Sequence, residues 1–267
     1  KGINDGDGLI VGNFRSDRMR QLLTSLVVKD FKEFNRTKLP NYGSIIGMVP
    51  YSSELSKRIP NLFPREIPKN TIGEVLSNFH IKQCRIAETE KFPHITFFLN
   101  GGEEKIFKGE DRILISSPKV KTYDTKPHMS AKEISKYVVK NIIDQSFEVI
   151  IINFANPDMV GHTGNFKAVI DAVQCVDKCV GEIVEQTLKV NGSIILTSDH
   201  GNSEVMWDDE EQSIHTAHTN NPVPLILIGD YLGVKLKKGR LADISPTLLD
   251  IMNLKKPSEM EGESLII

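Results

Sequence analysis

The spacing of apolar positions switches between a strand-like and a helix-like repeat several times along the chain. After the turn sequence DGDG, the run LIVGNF predicts a strand, and RSDRMRQLLTSLVV carries apolar residues at helical spacing. Strands that are apolar throughout and alternate with helices are typical of a parallel sheet covered on both faces, which predicts an α/β fold. The alternation from residue 71 onward comprises TIGEVLSNF, QCRIAE, HITFFLNGG, residues 130–145, FEVIIINF, residues 166–190, SIILTS, PVPLILIG and ADISPTLLDIMNL.

A proline-rich region separates the first predicted strand and helix from the longer alternating part. Proline lacks a backbone N–H and interrupts helices and central strands. We therefore expect a domain boundary close to residues 65–70, with residues 1–65 in one part and residues 66–267 in the other. The prolines in question are Pro40, Pro50, Pro60, Pro64 and Pro68.

Composition and charge narrow the class of protein. The 267 residues are 39% hydrophobic and 25% charged, with a net charge of −2. This balance is typical of a soluble globular protein and argues against a nucleic-acid or membrane-surface partner. No apolar run approaches the roughly 18 residues that span a bilayer. Cys175 and Cys179 are four apart in a predicted helix, and buried thiols in a reducing cytoplasm are favoured over a zinc site.

Acidic and histidine residues follow two of the predicted strands, and a further histidine precedes a third. Asp158 and His162 lie in NFANPDMVGHTG, Asp199 and His200 in TSDHGN, and His218 in HTAHTNNPVP. Each group alone is typical of a helix cap or a turn. In open α/β sheets, however, sites form beyond the carboxyl ends of strands. Two carboxylates and three imidazoles at one sheet edge therefore predict a binuclear Mn²⁺ or Zn²⁺ site suited to phosphoryl transfer.

Three basic residues are candidates for binding an anionic substrate. Arg15 and Arg18 are three apart at a strand-to-helix junction, so they share a helical face and could grip carboxylate or phosphate oxygens. A solvated helix face explains the same spacing equally well. Lys91 lies between two strand-like runs. A surface lysine paired with Glu88 and Glu90 is the default interpretation, and a lysine that reaches into an anionic site is the alternative.

Several motifs together resemble one enzyme family. NFANPDMVGHTG, LTSDHGN and TAHTNNPVPLI, with NFRSDR and ETEKFPHITFF, closely resemble the cofactor-independent phosphoglycerate mutases of the alkaline phosphatase superfamily. The resemblance extends over nearly the whole chain. It implies a three-layer alkaline-phosphatase-like sheet domain at 66–267, and the last part of an inserted α/β phosphotransferase domain at 1–65.

The resemblance also implies an activity. It predicts a cytoplasmic, monomeric isomerase of glycolysis and gluconeogenesis that interconverts 3-phosphoglycerate and 2-phosphoglycerate without 2,3-bisphosphoglycerate. Two Mn²⁺ ions and a phosphoserine intermediate would serve that reaction.

Individual roles follow from the same resemblance. One metal would be bound by Asp158, His162 and His218, and the other by Asp199 and His200. The substrate would be held by Arg15 and Arg18, and its migrating phosphoryl group would contact the catalytic residue Lys91.

The sequence departs from the family pattern in one respect. The nucleophilic serine and one further Asp ligand lie near the N-terminus of the family's full-length proteins, and neither motif occurs here. We therefore expect a C-terminal half that is inactive in isolation, and we expect Ser198 to support its loop and not to act as the nucleophile. Two alternatives are open: another metal-dependent phosphatase or phosphopentomutase of the superfamily, and a non-catalytic metal-binding fragment.

Overall fold

The computed structural model of the chain describes residues 2–64, 68–231 and 233–267, apart from the side chains of residues 16–18. The chain divides into two compact units, Lys1–Ile67 and Pro68–Ile267. Residues 65–67, at the predicted boundary, lie outside the described residues. The identities expected for the two parts stay predictions.

The first unit contains a small parallel sheet with two helices. Strand β1 (Gly8–Val11) pairs in parallel with β2 (Ser44–Gly47), and helices α1 (Ser16–Val27) and α2 (Ser53–Ser56) follow the two strands. The Tyr51 hydroxyl donates a hydrogen bond of 2.6 Å to the carbonyl of Asn13 and anchors the end of β1. The core of this unit consists of Val11, Leu23, Tyr51, Leu55 and Ile59.

The second unit is built on a three-stranded parallel sheet. After helix α3 (Ile72–Asn78), β3 (Gln83–Glu88) forms the centre of the sheet, with β4 (Glu110–Ile115) on one side and β5 (Val149–Asn153) on the other. All six residues of β3 are buried, as expected of a central strand in a parallel sheet covered on both faces.

Helices cover both faces of this sheet. On one face, Ile134 and Val138 of α4 (Ala131–Ile143) and Ile183 of α6 (Phe166–Lys189) pack against Ile86. On the other face, α3 and the C-terminal helix α7 (Ile244–Ile251) pack against Val149. Alternate residues of β5 belong to the two cores, because side chains of a strand alternate between faces. The predicted α/β fold with a three-layer arrangement is thus confirmed.

The remaining elements complete the second unit. The short helix α5 (Asn156–Gly161) follows β5, and β6 (Ile194–Thr197) follows α6. The short strands β7 (Trp207–Asp208) and β8 (Ser213–Ile214), of two residues each, form an antiparallel hairpin. Strand β9 (Leu225–Ile228) pairs with β6. None of the described helices combines the length and the apolar character that crossing a membrane requires.

The structure corrects the expected strand direction at one pair. The sequence pattern predicts parallel strands throughout, yet β9 runs antiparallel to β6, with Thr197 opposite Leu225. An apolar run does not reveal its direction, because strands of either orientation bury the same side chains.

HITFFLNGG is not a strand. His94–Phe98 forms a π-helical turn, in which the hydroxyl of Thr96 donates to the Phe92 carbonyl at 2.8 Å. The buried guanidinium of Arg85 donates to the carbonyl of Ile95 at 3.1 Å and to Asn100 Oδ1 at 2.7 Å. A buried arginine requires such acceptors, and the helical turn supplies one of them.

Candidate metal centre

Two of the predicted ligands are positioned by the helical turn that follows β5. Helix α5 begins with Asn156 and Pro157, a residue type preferred in a first turn. The backbone N–H of His162 donates to the Asp158 carbonyl at 3.0 Å. A spacing of four residues in a helical turn places both side chains on one face. Asp158 and His162 therefore point to the same side of this loop.

The antiparallel pairing of β6 and β9 brings the other ligand segments together. Asp199 and His200 follow the end of β6, and His218 precedes the start of β9, which lies beside that end. An antiparallel bridge joins Gly201 to Thr219, with the Thr219 N–H donating to the Gly201 carbonyl at 2.9 Å. Had β9 run parallel to β6, His218 would have been at the opposite end of the sheet.

Three donor atoms converge at one point. Asp158 Oδ1 lies 3.1 Å from His162 Nε2 and 3.0 Å from His218 Nε2, and the two imidazole nitrogens are 3.1 Å apart. When an ion is bound at about 2.0–2.2 Å from each donor, neighbouring donor atoms lie roughly 3.0–3.4 Å from one another. The mixed oxygen and nitrogen donors, without thiolate, suit Mn²⁺ or Zn²⁺. Asp158, His162 and His218 therefore fit a divalent cation.

The orientation of His162 is also that of a metal ligand. Its Nδ1 lies 2.6 Å from the carbonyl of Thr216, and a carbonyl oxygen only accepts, so Nδ1 carries the proton. The lone pair of the neutral ring is then on Nε2, the atom that faces Asp158 and His218. A second hydrogen bond of this kind commonly sets the tautomer of metal-binding histidines.

Asp199 and His200 lie next to this group of three. The His200 ring stacks on the His218 ring with centroids 3.7 Å apart, and His200 Nε2 is 3.5 Å from Asp199 Oδ2. Among the described residues, these two are not joined by a third His, Cys, Asp or Glu into a second group. The structure thus brings all five predicted ligands to one edge but assembles only one complete set.

Lys91 reaches into the same site. It ends a 3₁₀ turn that follows β3, and its side chain is only 5% exposed. Its Nζ lies 2.7 Å from Asp158 Oδ2 and 3.8 Å from Asp199 Oδ2. Surface pairing with Glu88 and Glu90, the default explanation from the sequence, is therefore wrong.

The charge on Lys91 controls the ionisation of its partner. Burial alone would raise the pKa of Asp158, but the hydrogen bond and the positive charge of Lys91, with His162 and His200, hold that pKa below its usual range. Burial and the charge of Lys91 also lower the pKa of the neighbouring His94, against the opposing charges of Asp199 and Asp158. The site therefore holds an ionised carboxylate at neutral pH.

The two arginines belong to the first unit. Arg15 is exposed and immediately precedes α1, and its backbone N–H donates to Asn13 Oδ1 at 2.7 Å. The side chain of Arg18 lies outside the described residues, so the shared face predicted for the pair stays a prediction.

Ser198 donates a hydrogen bond of 2.7 Å to the His200 carbonyl. This contact agrees with the loop-supporting role expected of it.

Two polar residues of the site escaped the sequence interpretation. Asn202 is buried, and its Nδ2 donates to Asp158 Oδ1 at 3.0 Å. Glu204 accepts hydrogen bonds from the Asn202 N–H and from the Thr219 hydroxyl. Asn202 is the last residue of TSDHGN and Glu204 lies two residues beyond it, but their contacts with Asp158 and Thr219 join segments that are distant in the sequence.

The sequence profile of the metalloenzyme superfamily matches residues 11–256, and the chain belongs to that superfamily. Within it, the chain is similar to proteins named 2,3-bisphosphoglycerate-independent phosphoglycerate mutase. It is 47% identical to the one from Cereibacter sphaeroides and 51% identical to mutase 1 from Methanosarcina acetivorans, over 265 residues in each case. The resemblance inferred from the motifs is thus confirmed.

A solved structure supports the same relationship. The chain matches a phosphoglycerate mutase of Leishmania mexicana, crystallised at low cobalt concentration, with a TM-score of 0.81 and 30% identity over 99% of the chain. The alignments cover 99% of this chain but 52% of the C. sphaeroides relative and 51% of both the M. acetivorans relative and the Leishmania chain. The chain therefore spans about half the length of the relatives it matches.

Proposed function

We propose that the chain is the metal-binding part of a 2,3-bisphosphoglycerate-independent phosphoglycerate mutase that interconverts 3-phosphoglycerate and 2-phosphoglycerate. The convergence of Asp158, His162 and His218, with Lys91 between Asp158 and Asp199, carries the proposal. The 47% and 51% identity to named mutases supports this reaction over others of the superfamily. Such an enzyme would act in glycolysis and gluconeogenesis, as a cytoplasmic monomer on a small-molecule substrate.

Two divalent ions, Mn²⁺ in our proposal with Zn²⁺ as the alternative, would withdraw charge from the phosphoryl oxygens. Asp158, His162 and His218 would hold one ion, and Asp199 and His200 would contribute to the other. The second set has only these two members among the described residues. It therefore needs further ligands, in agreement with the additional Asp implied by the resemblance.

Lys91 would bind the migrating phosphoryl group. Its ammonium is directed into the site by a rigid turn at the end of the fully buried strand β3. Phosphoryl transfer spreads negative charge over the equatorial oxygens, and a fixed cation with little access to water stabilises that charge.

The remaining roles rest on the resemblance to the mutase family. Arg15 and Arg18 would retain the glycerate while it reorients, so that the phosphoryl group returns to the other hydroxyl. The nucleophilic serine is a residue that this chain does not supply.

A chimera tests the proposal. The chain would be joined to the part of the C. sphaeroides relative that the alignment leaves uncovered, and then assayed with 3-phosphoglycerate and Mn²⁺. We expect 2-phosphoglycerate to form, chelation to abolish its formation, and the chain alone to be inactive. Lys91→Met in the chimera should lower kcat, whereas Lys178→Met, an exposed lysine of α6, should not.

Other outcomes distinguish the alternatives. Release of inorganic phosphate without isomerisation would indicate a phosphatase. A folded chimera that binds Mn²⁺ but shows no turnover would indicate a non-catalytic metal-binding protein.

A further inference from the structure

Glu204 occupies a central place between the ligand-bearing segments. Its Oε2 accepts a hydrogen bond of 2.7 Å from the Asn202 N–H. Its Oε1 accepts from the hydroxyl of Thr219 and, at 3.1 Å, from Asn221 Nδ2. One carboxylate thus ties the loop after β6, where Asp199 and His200 lie, to the segment before β9, where His218 lies.

The same network continues to Asp158. Asn202, whose backbone is held by Glu204, donates its side-chain N–H to Asp158 Oδ1 at 3.0 Å. Thr219, whose hydroxyl is held by Glu204, immediately follows His218 in the chain. Glu204 is therefore connected to two members of the candidate metal group through one intervening residue each: to Asp158 through Asn202, and to His218 through Thr219.

Two glycines make this arrangement possible. A Cβ on Gly201 would approach Glu204 Oε1 and the Thr219 hydroxyl to 2.2 Å each. A Cβ on Gly161 would approach Asn202 Oδ1 to 2.0 Å. Glu204, Thr219 and Asn202 thus lie close against these two glycines, and a larger residue at either position would displace them.

Glu204 is suited to hold several donors at once. Burial acts to raise its pKa, but the hydrogen bonds from Thr219, Asn221 and the backbone hold the pKa of Glu204 below its usual range. An ionised carboxylate accepts on both oxygens, whereas the glutamine amide has one acceptor and one donor group. Glutamine cannot satisfy Asn202 and the Thr219–Asn221 pair simultaneously.

From this geometry we infer that Glu204 is a positioning residue that fixes Asp158 and His218 at the separation a single divalent ion requires. The inference rests on the proposed metal function. Glu204 acts through Asn202 and Thr219 and does not contact the ion itself. Outer hydrogen-bond partners of metal ligands typically change metal affinity by about 10–100-fold when they are replaced.

The test compares Glu204→Gln with the wild-type chain by Co²⁺ titration, followed by visible absorption. We expect the dissociation constant to rise by about 10–100-fold and the absorption bands to change, because the ligand geometry is altered. Thr219→Val, which removes the hydroxyl, should act in the same direction. Thr219→Ser, which keeps the hydroxyl, should restore the wild-type spectrum. Glu210→Gln, at an exposed position near the β7–β8 hairpin, is the matched control.

Amide hydrogen exchange without metal provides a second measurement. Glu204→Gln should speed exchange in peptides covering residues 198–221, including the Thr219 amide, which donates to Gly201. An unchanged Co²⁺ affinity and spectrum in this variant would overturn the inference. If the wild-type chain binds no Co²⁺, the proposed metal centre fails, and unchanged exchange in the variant would then refute the positioning role independently.

Discussion

Lys91 and Asp158 form a buried ion pair. Their side chains are 5% and 13% exposed, and the nitrogen and oxygen are 2.7 Å apart. Removing one partner of a buried pair leaves the other charge uncompensated, which destabilises a protein far more than the loss of a surface pair. The stability of the site is therefore sensitive to single substitutions.

Asp158→Asn should destabilise the chain by about 3 kcal/mol at pH 7, near the lower end for a broken buried pair, because Asp199 remains 3.8 Å from Lys91. Urea unfolding in the presence of a chelator measures this difference. Asp177→Asn, at an exposed position of α6, should change stability by less than about 0.5 kcal/mol.

The stability difference between the wild-type chain and Asp158→Asn should depend on pH with a definite sign. The pKa of Asp158 is lowered in the folded chain, so its contribution to stability is present above the unfolded pKa of about 3.9 and is lost as pH falls through the folded value. The wild-type and Asp158→Asn curves should therefore converge only in strong acid. Convergence between pH 7 and pH 5 would contradict this account.

His162 provides a test that requires no substitution. Because its Nδ1 donates to the Thr216 carbonyl, the neutral ring should be the Nδ1–H tautomer in the metal-free chain. Nitrogen-15 chemical shifts of the imidazole at pH 8 report the tautomer directly. A predominant Nε2–H form would show that the ring is not oriented for metal binding through Nε2.

Helices α5 and α6 contain glycines in contrasting surroundings. Gly161 ends α5 against the buried side chain of Asn202, whereas a Cβ on Gly181, in the exposed middle of α6, would meet nothing within 4 Å. The same substitution should therefore have opposite effects in the two helices, because helix propensity favours alanine and steric overlap opposes it.

Gly181→Ala should stabilise the chain by about 0.5–1 kcal/mol, while Gly161→Ala should destabilise it by about 1–3 kcal/mol and displace Asn202 from Asp158. Thermal unfolding measures the stability of both variants, and metal titration reports whether Gly161→Ala disturbs the contact between Asn202 and Asp158. If Gly161→Ala were neutral in both measurements, the tight packing between α5 and Asn202 would be wrong.

Most strands and helices could be predicted from the apolar pattern, and the exceptions share a cause. HITFFLNGG folds as a helical turn whose Ile95 carbonyl accepts a hydrogen bond from the buried guanidinium of Arg85, in the strand that precedes it. EDRILI, which forms β4, was missed because charged residues open it. In both segments, contacts with residues outside the segment contribute to the structure, and the spacing within the segment carries no record of them.

In the candidate site, too, some features could be predicted from the sequence and others depend on contacts between segments. The clustering of the five candidate ligands could be predicted because Asp and His residues at strand ends meet at one edge of a sheet. The burial of Lys91 could not be predicted, because its counter-charge Asp158 is supplied by another strand end. The roles of Asn202 and Glu204 likewise depend on hydrogen bonds between segments.

The chain as a whole should be stabilised by the ion that its metal group binds. A ligand that binds only the folded state at 100 times its dissociation constant adds about 2.7 kcal/mol. Mn²⁺ or Co²⁺ should therefore raise the melting temperature of the wild-type chain but not that of His162→Ala. The shift should shrink as the pH is lowered, because protons compete with the metal for imidazole nitrogens. A shift that persists unchanged at pH 5 would count against histidine ligands.

The antiparallel pairing of β9 with β6 also determines when the site can exist during protein synthesis. Asp158 and His162 leave the ribosome together, but His218 is brought to them by a strand that ends at Ile228. A nascent chain that has reached only α6 already contains the first two donors and lacks the third. Assembly of the three-donor group therefore comes late, after β9 has paired with β6. Premature termination before His218 would yield a chain in which Asp158 and His162 lack the third donor.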